Sequence, residues 1–399
     1  MYLPTLHPGL DISGWSGSVS DSTLALMLSG GGARAAYQVG FLRHVASRHP
    51  DLDPGILTGV SAGGLIAVHL AARPGSFRDS VNSLSELWSS LRIDDVFRVD
   101  PRDLASRVMR GGLRLVSGGS PDSPRTRSLV DTAPLRSLLV QTFACDQDET
   151  FPGIQRNLEH RGLNAVALTA TSYTTGQSVT WIQSRDGFGV LTWESAQRKT
   201  ISGCLRLDHA LASSALPFFF PAVEVDGAWY GDGGIRLAAP LSPAVSLGAR
   251  KIMAVSTRFA RSRVEAAQPA VSGYPPPAQV AGVLFNAIFL DLLDTDALRL
   301  QQINSLIARL PPESRGGLRQ IDLLVLRPSQ DLGRLANEFE PALPRGFRFL
   351  VRGLGSRETR SNDMLSLLMF QPDYIGRLIE LGEADAKARA DEIDTFLTG

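Results

Sequence analysis

Short apolar runs that end in glycine-rich stops and lead into helix-like stretches dominate the first third of the chain. Leu24–Leu28 is apolar and stops at Ser29-Gly30-Gly31-Gly32, and the Ala35–Arg48 segment that follows has helical composition and spacing. Ile56–Val60 repeats the pattern, with a stop at Ser61-Ala62-Gly63-Gly64 and a helical stretch from Leu65 to Ala72. Two successive strand–turn–helix units predict a mostly parallel sheet with helices on both faces, an α/β fold. Further strands are expected at Ala165–Ser172, Ser178–Gln183, Lys251–Ser256 and Ile321–Leu326, and further helices at residues 130–142, 208–215, 279–308 and 373–397. Val223–Tyr230 alternates around Asp226-Gly227, the pattern of a hairpin.

Residues 1–21 are rich in Gly, Ser and Pro without an apolar period and are expected to form an irregular extension. The Pro275-Pro276-Pro277 stretch ends a loop-like segment, but a strand is expected beyond it. Residues 22–399 are therefore expected to be one domain, with its motifs in 22–258 and a helical and strand extension in 280–399.

Charge narrows the function classes. Forty basic residues balance forty acidic ones, which argues against nucleic acid as a partner. Cys145 and Cys204 are too few and too far apart for a disulfide framework or a metal knuckle, so a reducing compartment is expected and neither metal nor cofactor is implied. The N-terminus lacks a basic stretch followed by an apolar one, and no stretch of 18 residues is continuously apolar. A cytoplasmic protein that does not span the membrane is the expectation, with peripheral membrane association left open.

Three motifs carry chemistry. Gly59-Val60-Ser61-Ala62-Gly63 matches G-x-S-x-G, the sharp strand-to-helix turn that projects a nucleophilic serine, with Gly59 and Gly63 giving room for the turn. In Gly30-Gly31-Gly32-Ala33-Arg34, backbone N–H groups converge where no side chain intervenes, as an oxyanion requires. Gly30, Gly32 and Ala35 also fit a dinucleotide-binding fingerprint, but Asp51 and Asp53 precede the next strand instead of ending it. Asp232 in Gly231-Asp232-Gly233-Gly234 follows the returning hairpin strand on a glycine-bracketed loop, where a carboxylate can be aimed at a neighbour. The histidines are His7, His44, His49, His69, His160 and His209. None follows Asp232, as the Ser, acid, His order of an α/β-hydrolase triad requires. Either another acid pairs with His160 or His209, or a carboxylate serves the serine directly.

In this order, the glycine run, the serine elbow and Asp232-Gly233-Gly234 resemble the patatin-like phospholipases. Ala212-Ser213-Ser214-Ala215-Leu216-Pro217 is similar to the segment that precedes the aspartate in bacterial members. The resemblance implies a three-layer α/β/α sandwich and a Ser61–Asp232 dyad without histidine or metal. Gly30, Gly31 and Gly32 then form the oxyanion hole, with Arg34 beside it. Ala35, and Ala238 or Ala239, depart from residues common in the family. The implied activity is hydrolysis of fatty-acyl esters of lipids through an acyl-enzyme. A small-ester or thioester hydrolase with the same dyad, and an idle lipid-binding protein, are the alternatives. Burial against Trp229 or Tyr230 is expected to raise the proton affinity of Asp232. Residues 102–127 place Arg102, Arg107, Arg110, Arg114, Arg125 and Arg127 among apolar residues, so a lid or a docking face for anionic membrane is weighed there against a solvated helix.

Overall fold

The computed structural model describes residues 23–98, 130–190, 194–268, 273–289, 292–316, 318–344, 347–348 and 361–399. The expected N-terminal extension and the arginine-rich segment 102–127 lie outside these. The first third of the chain forms β1 (Leu24–Leu28), α1 (Ala36–Arg48), β2 (Ile56–Val60), α2 (Ala62–Ala72) and α3 (Phe77–Ser90). The middle contains α4 (Ala133–Phe143), α5 (Pro152–His160), β3 (Ala165–Ser172), β4 (Ser178–Ser184), β5 (Arg198–Ser202) and α6 (Leu207–Ser213). The hairpin β6 (Val223–Val225) and β7 (Ala228–Asp232) follows, then β8 (Lys251–Val255), α7 (Pro277–Phe289), α8 (Leu292–Arg309), β9 (Asp322–Leu326) and α9 (Leu332–Phe339). The chain closes with α10 (Asp363–Leu368), α11 (Pro372–Ala388) and α12 (Ala390–Thr398).

The main sheet runs β5-β4-β3-β2-β1-β8-β9, and β3, β2, β1, β8 and β9 pair in parallel. Strand alternation divides its two faces. Leu26 and Leu28 point into one apolar cluster with α1, α2 and α11, while Ala25 and Met27 point into a second with α8 and residues 241–249. These are the two outer layers of an α/β/α sandwich.

Two differences from the sequence reading have local causes. The helix expected over 279–308 is seen as α7 and α8 on either side of residues 290–291, which lie outside the described residues, while that over 373–397 breaks at Arg389, whose φ −112 and ψ 21 leave the helical region. Strand β5, which pairs with the edge of β4, was not anticipated because Arg198-Lys199-Thr200-Ile201-Ser202 carries little apolar signal.

The C-terminal helices are bound tightly to the core. α1 and α11 cross with their backbones touching: a Cβ on Gly40 would stand 1.8 Å from the Ile379 carbonyl oxygen, and one on Gly382 would stand 2.0 Å from that of Tyr37. Gly376, on the same helix α11, has open space around it. Gly382→Ala is therefore expected to lower stability by ~1–3 kcal/mol or more through overpacking. Gly376→Ala is expected to raise it by ~0.5–1 kcal/mol through helix propensity. Denaturant melts of the two variants check these opposite signs.

Candidate active site

Strand register brings the serine and the aspartate together. Val60, the last residue of β2, is level with Thr169 of β3, and the next β3 residue, Ala170, is level with Asp232 of β7. β2 thus stops where β7 begins along one edge of β3, and Ser61 and Asp232 meet at that junction. The end of α6 fastens both chains. The Ser61 N–H donates to the Ser213 carbonyl (3.1 Å) and lies as close to Ser213 Oγ (3.1 Å), while Ser213 Oγ donates to the Thr169 carbonyl (2.7 Å). The Asp232 N–H donates to the Ala215 carbonyl (2.9 Å).

Ser61 caps α2 at φ 56 and ψ −134, a conformation that costs a residue with a side chain about 1–3 kcal/mol. Gly59 and Gly63 permit the turn through close approach. A Cβ on Gly59 would lie 2.4 Å from the Gly63 carbonyl oxygen, and one on Gly63 equally close to those of Leu28 and Ser29. Ser61 opens onto a pocket whose walls come from α2, α3, α4 and residues 367–370, including Leu65, Leu84, Trp88, Phe143 and Leu368.

Asp232 is 0% exposed. Burial pushes its pKa up to about 7, against the lowering influence of the nearby Ser61 hydroxyl and the Gly234 N–H. Oδ1 accepts that N–H at 2.9 Å, whereas Oδ2 closes no hydrogen bond of ordinary geometry among the described residues. The Ser61 contact is therefore loose. Trp229 is 44% exposed on the opposite face of β7 from Asp232, while Tyr230 is buried on the same face and packs against Trp181 at 4.9 Å between ring centroids. Where β7 pairs with β3, Thr171 Oγ1 donates to the Asp232 carbonyl (2.9 Å).

Gly31 and Gly32 line the same pocket as Ser61. Their N–H groups, and that of Ala62, donate to no acceptor among the described residues. Gly32 has φ 53, and a Cβ on it would lie 2.1 Å from the Leu367 carbonyl oxygen. Gly30 packs against Ser61, and its carbonyl accepts from Thr257 Oγ1 at 2.7 Å. Arg34 is not at this pocket. Its side chain is buried behind the loop, where Nη2 pairs with Asp363 (2.6 Å) and Nε donates to Ser366 Oγ (2.5 Å), and its N–H donates to the Gly31 carbonyl (3.0 Å). Arg34 thus lies beside the glycine run and braces it against α10, with its guanidinium turned to Asp363 and Ser366.

The remaining motif readings also resolve. Asp53 pairs with Arg161 (2.7 Å) ahead of the first residue of β2, not at the strand's C-terminal end where a dinucleotide ribose is held. His160 is exposed beside Glu159, and His209 is buried in a stack on Trp181, its Nδ1 accepting the Arg206 N–H at 2.9 Å. Neither bonds Ser61. No group of three or more His, Cys, Asp or Glu among the described residues is placed to hold a metal. Ser213, Thr257, Asp363 and His69, which all touch the site or its walls, were not singled out from sequence. Only Ser213 had a signal, within the Ala212–Pro217 segment.

A raised carboxyl pKa has a stability consequence. The folded state holds the Asp232 proton more tightly than the unfolded chain, so this contribution is complete below pH ~4 and is lost as pH rises through about 7. A shift from 3.8 to about 7 corresponds to a loss on the order of 4 kcal/mol. Asp232→Asn is expected to be more stable than the wild type at pH 8 and to lose most of that advantage at pH 4, as thermal melts at the two values will show.

The family model described as patatin-like phospholipase matches residues 26–245. No curated protein matches the chain. Among solved structures, VipD from Legionella pneumophila is similar with 14% identity over 91% of this chain and 67% of its own, at a TM-score of 0.35. Human GIVD cytosolic phospholipase A2 is similar with 10% identity over 94% of this chain and 60% of its own, at a TM-score of 0.45. The chain thus spans about three fifths of the human protein's length. The family match covers more than half of the residues and includes both the serine elbow and Asp232, and the chain belongs to the patatin-like phospholipases, a family of lipid-ester hydrolases.

Proposed function

We propose that the chain hydrolyses fatty-acyl esters of lipids with Ser61 as nucleophile and Asp232 as its base. The observation that carries this reading is a buried carboxyl with a pKa near 7 beside a serine on a strained elbow, at the mouth of an apolar pocket. Ser61 Oγ attacks the ester carbonyl carbon and its proton passes to Asp232. The N–H groups of Gly31, Gly32 and Ala62 receive the oxyanion, and the α2 N-terminus adds positive potential. Collapse breaks the bond to the alcohol, which takes the proton back from Asp232, and water then releases the acid by the same sequence. A pKa near 7 suits a group that must accept and return a proton near neutrality. An apolar pocket of this kind favours a long acyl chain over a small ester.

Residues 361–399 belong to the same proposed unit as the motifs, because α10 supplies Leu367 and Leu368 to the pocket and Asp363 to Arg34. The membrane-facing surface proposed from the described residues is α7. Val280, Val283 and Leu284 are exposed along one stripe of it. Its other side reaches the site through Phe285 on Phe219 and Asn286 on Asp363 (2.6 Å). No described helix is long and apolar enough to cross a membrane.

Ser61→Ala is expected to abolish fluorophosphonate labelling and ester turnover, and Asp232→Asn to lower turnover by ~100-fold or more. His160→Asn and His209→Asn are expected to retain most activity. Labelling that persists in Ser61→Ala, or a folded histidine variant without activity, contradicts the dyad.

Val283→Ser with Leu284→Ser is expected to weaken binding to phospholipid vesicles by tenfold or more, since each side chain contributes up to ~1.5–3 kcal/mol when buried. Vesicle sedimentation reads this directly, and undiminished binding removes α7 from the interface.

A further inference from the structure

Away from the nucleophile and the glycine loop, the walls of the acyl pocket are leucine, valine, tryptophan and phenylalanine side chains except at Ser214, whose hydroxyl is given to the Ala210 and Leu211 carbonyls, and at His69. That ring is 0% exposed, and neither of its nitrogens closes a hydrogen bond of ordinary geometry among the described residues. The Ser80 carbonyl on α3 stands near enough to raise its proton affinity, but burial, aided by the Arg73 charge, wins and takes the pKa down to about 3. The imidazole is therefore neutral, with one N–H and one bare acceptor. Ser80 offers the N–H a carbonyl. No described group offers the other nitrogen a donor, and a buried acceptor without a partner is unfavourable. Leucine at this position would complete the apolar wall with no such penalty.

The place of the ring along α2 says what it meets. Ser61, Leu65 and His69 are spaced at four-residue intervals, so they share one face of the helix, and His69 lies about 12 Å along the axis from Ser61. An extended acyl chain advances ~1.3 Å for each C–C bond of ~1.5 Å, which brings carbons 9 or 10, roughly, to that depth. We propose that His69 is a specificity-determining residue that accepts a hydrogen bond from a hydroxyl in the middle of the acyl chain, making esters of mid-chain hydroxy fatty acids the preferred substrates. This rests on the reading of the pocket as the acyl site of Ser61. An unsubstituted chain leaves the imidazole acceptor against methylenes, and a hydroxylated chain in an all-apolar pocket leaves its own hydroxyl unpaired. Meeting each other removes both penalties, and sites built to bond a hydroxyl discriminate strongly against ligands that lack it.

The test uses product acids and Ser61→Ala protein, so that it is independent of turnover. Binding of octadecanoic acid is compared by calorimetry with binding of the acid hydroxylated at carbon ~10 and of the acid hydroxylated at carbon 2. The mid-chain hydroxy acid is expected to bind at least tenfold tighter than the other two. Adding His69→Leu is expected to reverse that order, while His69→Gln, which keeps an acceptor, retains part of the preference. A thermal melt establishes that each variant is folded. Equal or tighter binding of the unsubstituted acid, or a mid-chain preference that survives in His69→Leu, overturns the proposal. Failure of Ser61 to label with fluorophosphonate refutes the nucleophile and leaves the binding order to judge His69 on its own.

Discussion

The site depends on holding one carboxyl out of water at the end of β7. Asp232 is fully buried, accepts a single backbone N–H on Oδ1, and has no countercharge among the groups that shift its pKa. A carboxylate paired with arginine or ringed by donors would be a weaker base than the same group in water. Burial without a partner produces the opposite, a carboxyl that takes a proton near neutral pH. Strand pairing sets the position, since the register of β7 on β3 is what puts Asp232 beside the end of β2.

The strain at Ser61 and the desolvation of Asp232 are both unfavourable, and the surrounding core offsets them. Ser213 and Ala215 clamp the two chains from α6, and the loop that carries Gly31 and Gly32 is held between Thr257 and α10. The Arg34–Asp363 pair closes that frame behind the loop. Breaking such a buried pair from one side typically costs about 3–5 kcal/mol. The pair consequently ties loop geometry to the C-terminal helices, which contribute to the pocket wall and to the α1–α11 crossing as well.

Local patterns in the chain were legible and long-range pairings were not. The β1–glycine run–α1 and β2–elbow–α2 units could be read because an apolar run, a glycine stop and a helical period lie within one short stretch. Asp232 stood out because a hairpin turn explained Asp226 and left Asp232 without a local role. The position of that carboxyl depends on the register of β7 on β3, whose distance in sequence hides it, and Trp229, a chain neighbour expected to bury it, lies on the other face of β7. The partner of Arg34 was hidden for the same reason, since Asp363 lies on α10, far along the chain. His69 carried no signal, because only the assembled pocket distinguishes a histidine on that wall from one elsewhere in the core. The break between α11 and α12 was also hidden, since no proline or glycine marks Arg389.

The central claim is that the buried carboxyl sets the reactivity of Ser61. The most direct measurement is the rate of phosphonylation of Ser61 by a neutral fluorophosphonate as a function of pH, with the adduct located by mass spectrometry. The account predicts a rate that rises with pH to a plateau with an apparent pKa of about 7, and a low, nearly flat profile in Asp232→Asn. A wild-type profile that is already level from pH ~5 upward, as for an ordinary aspartate, would contradict it.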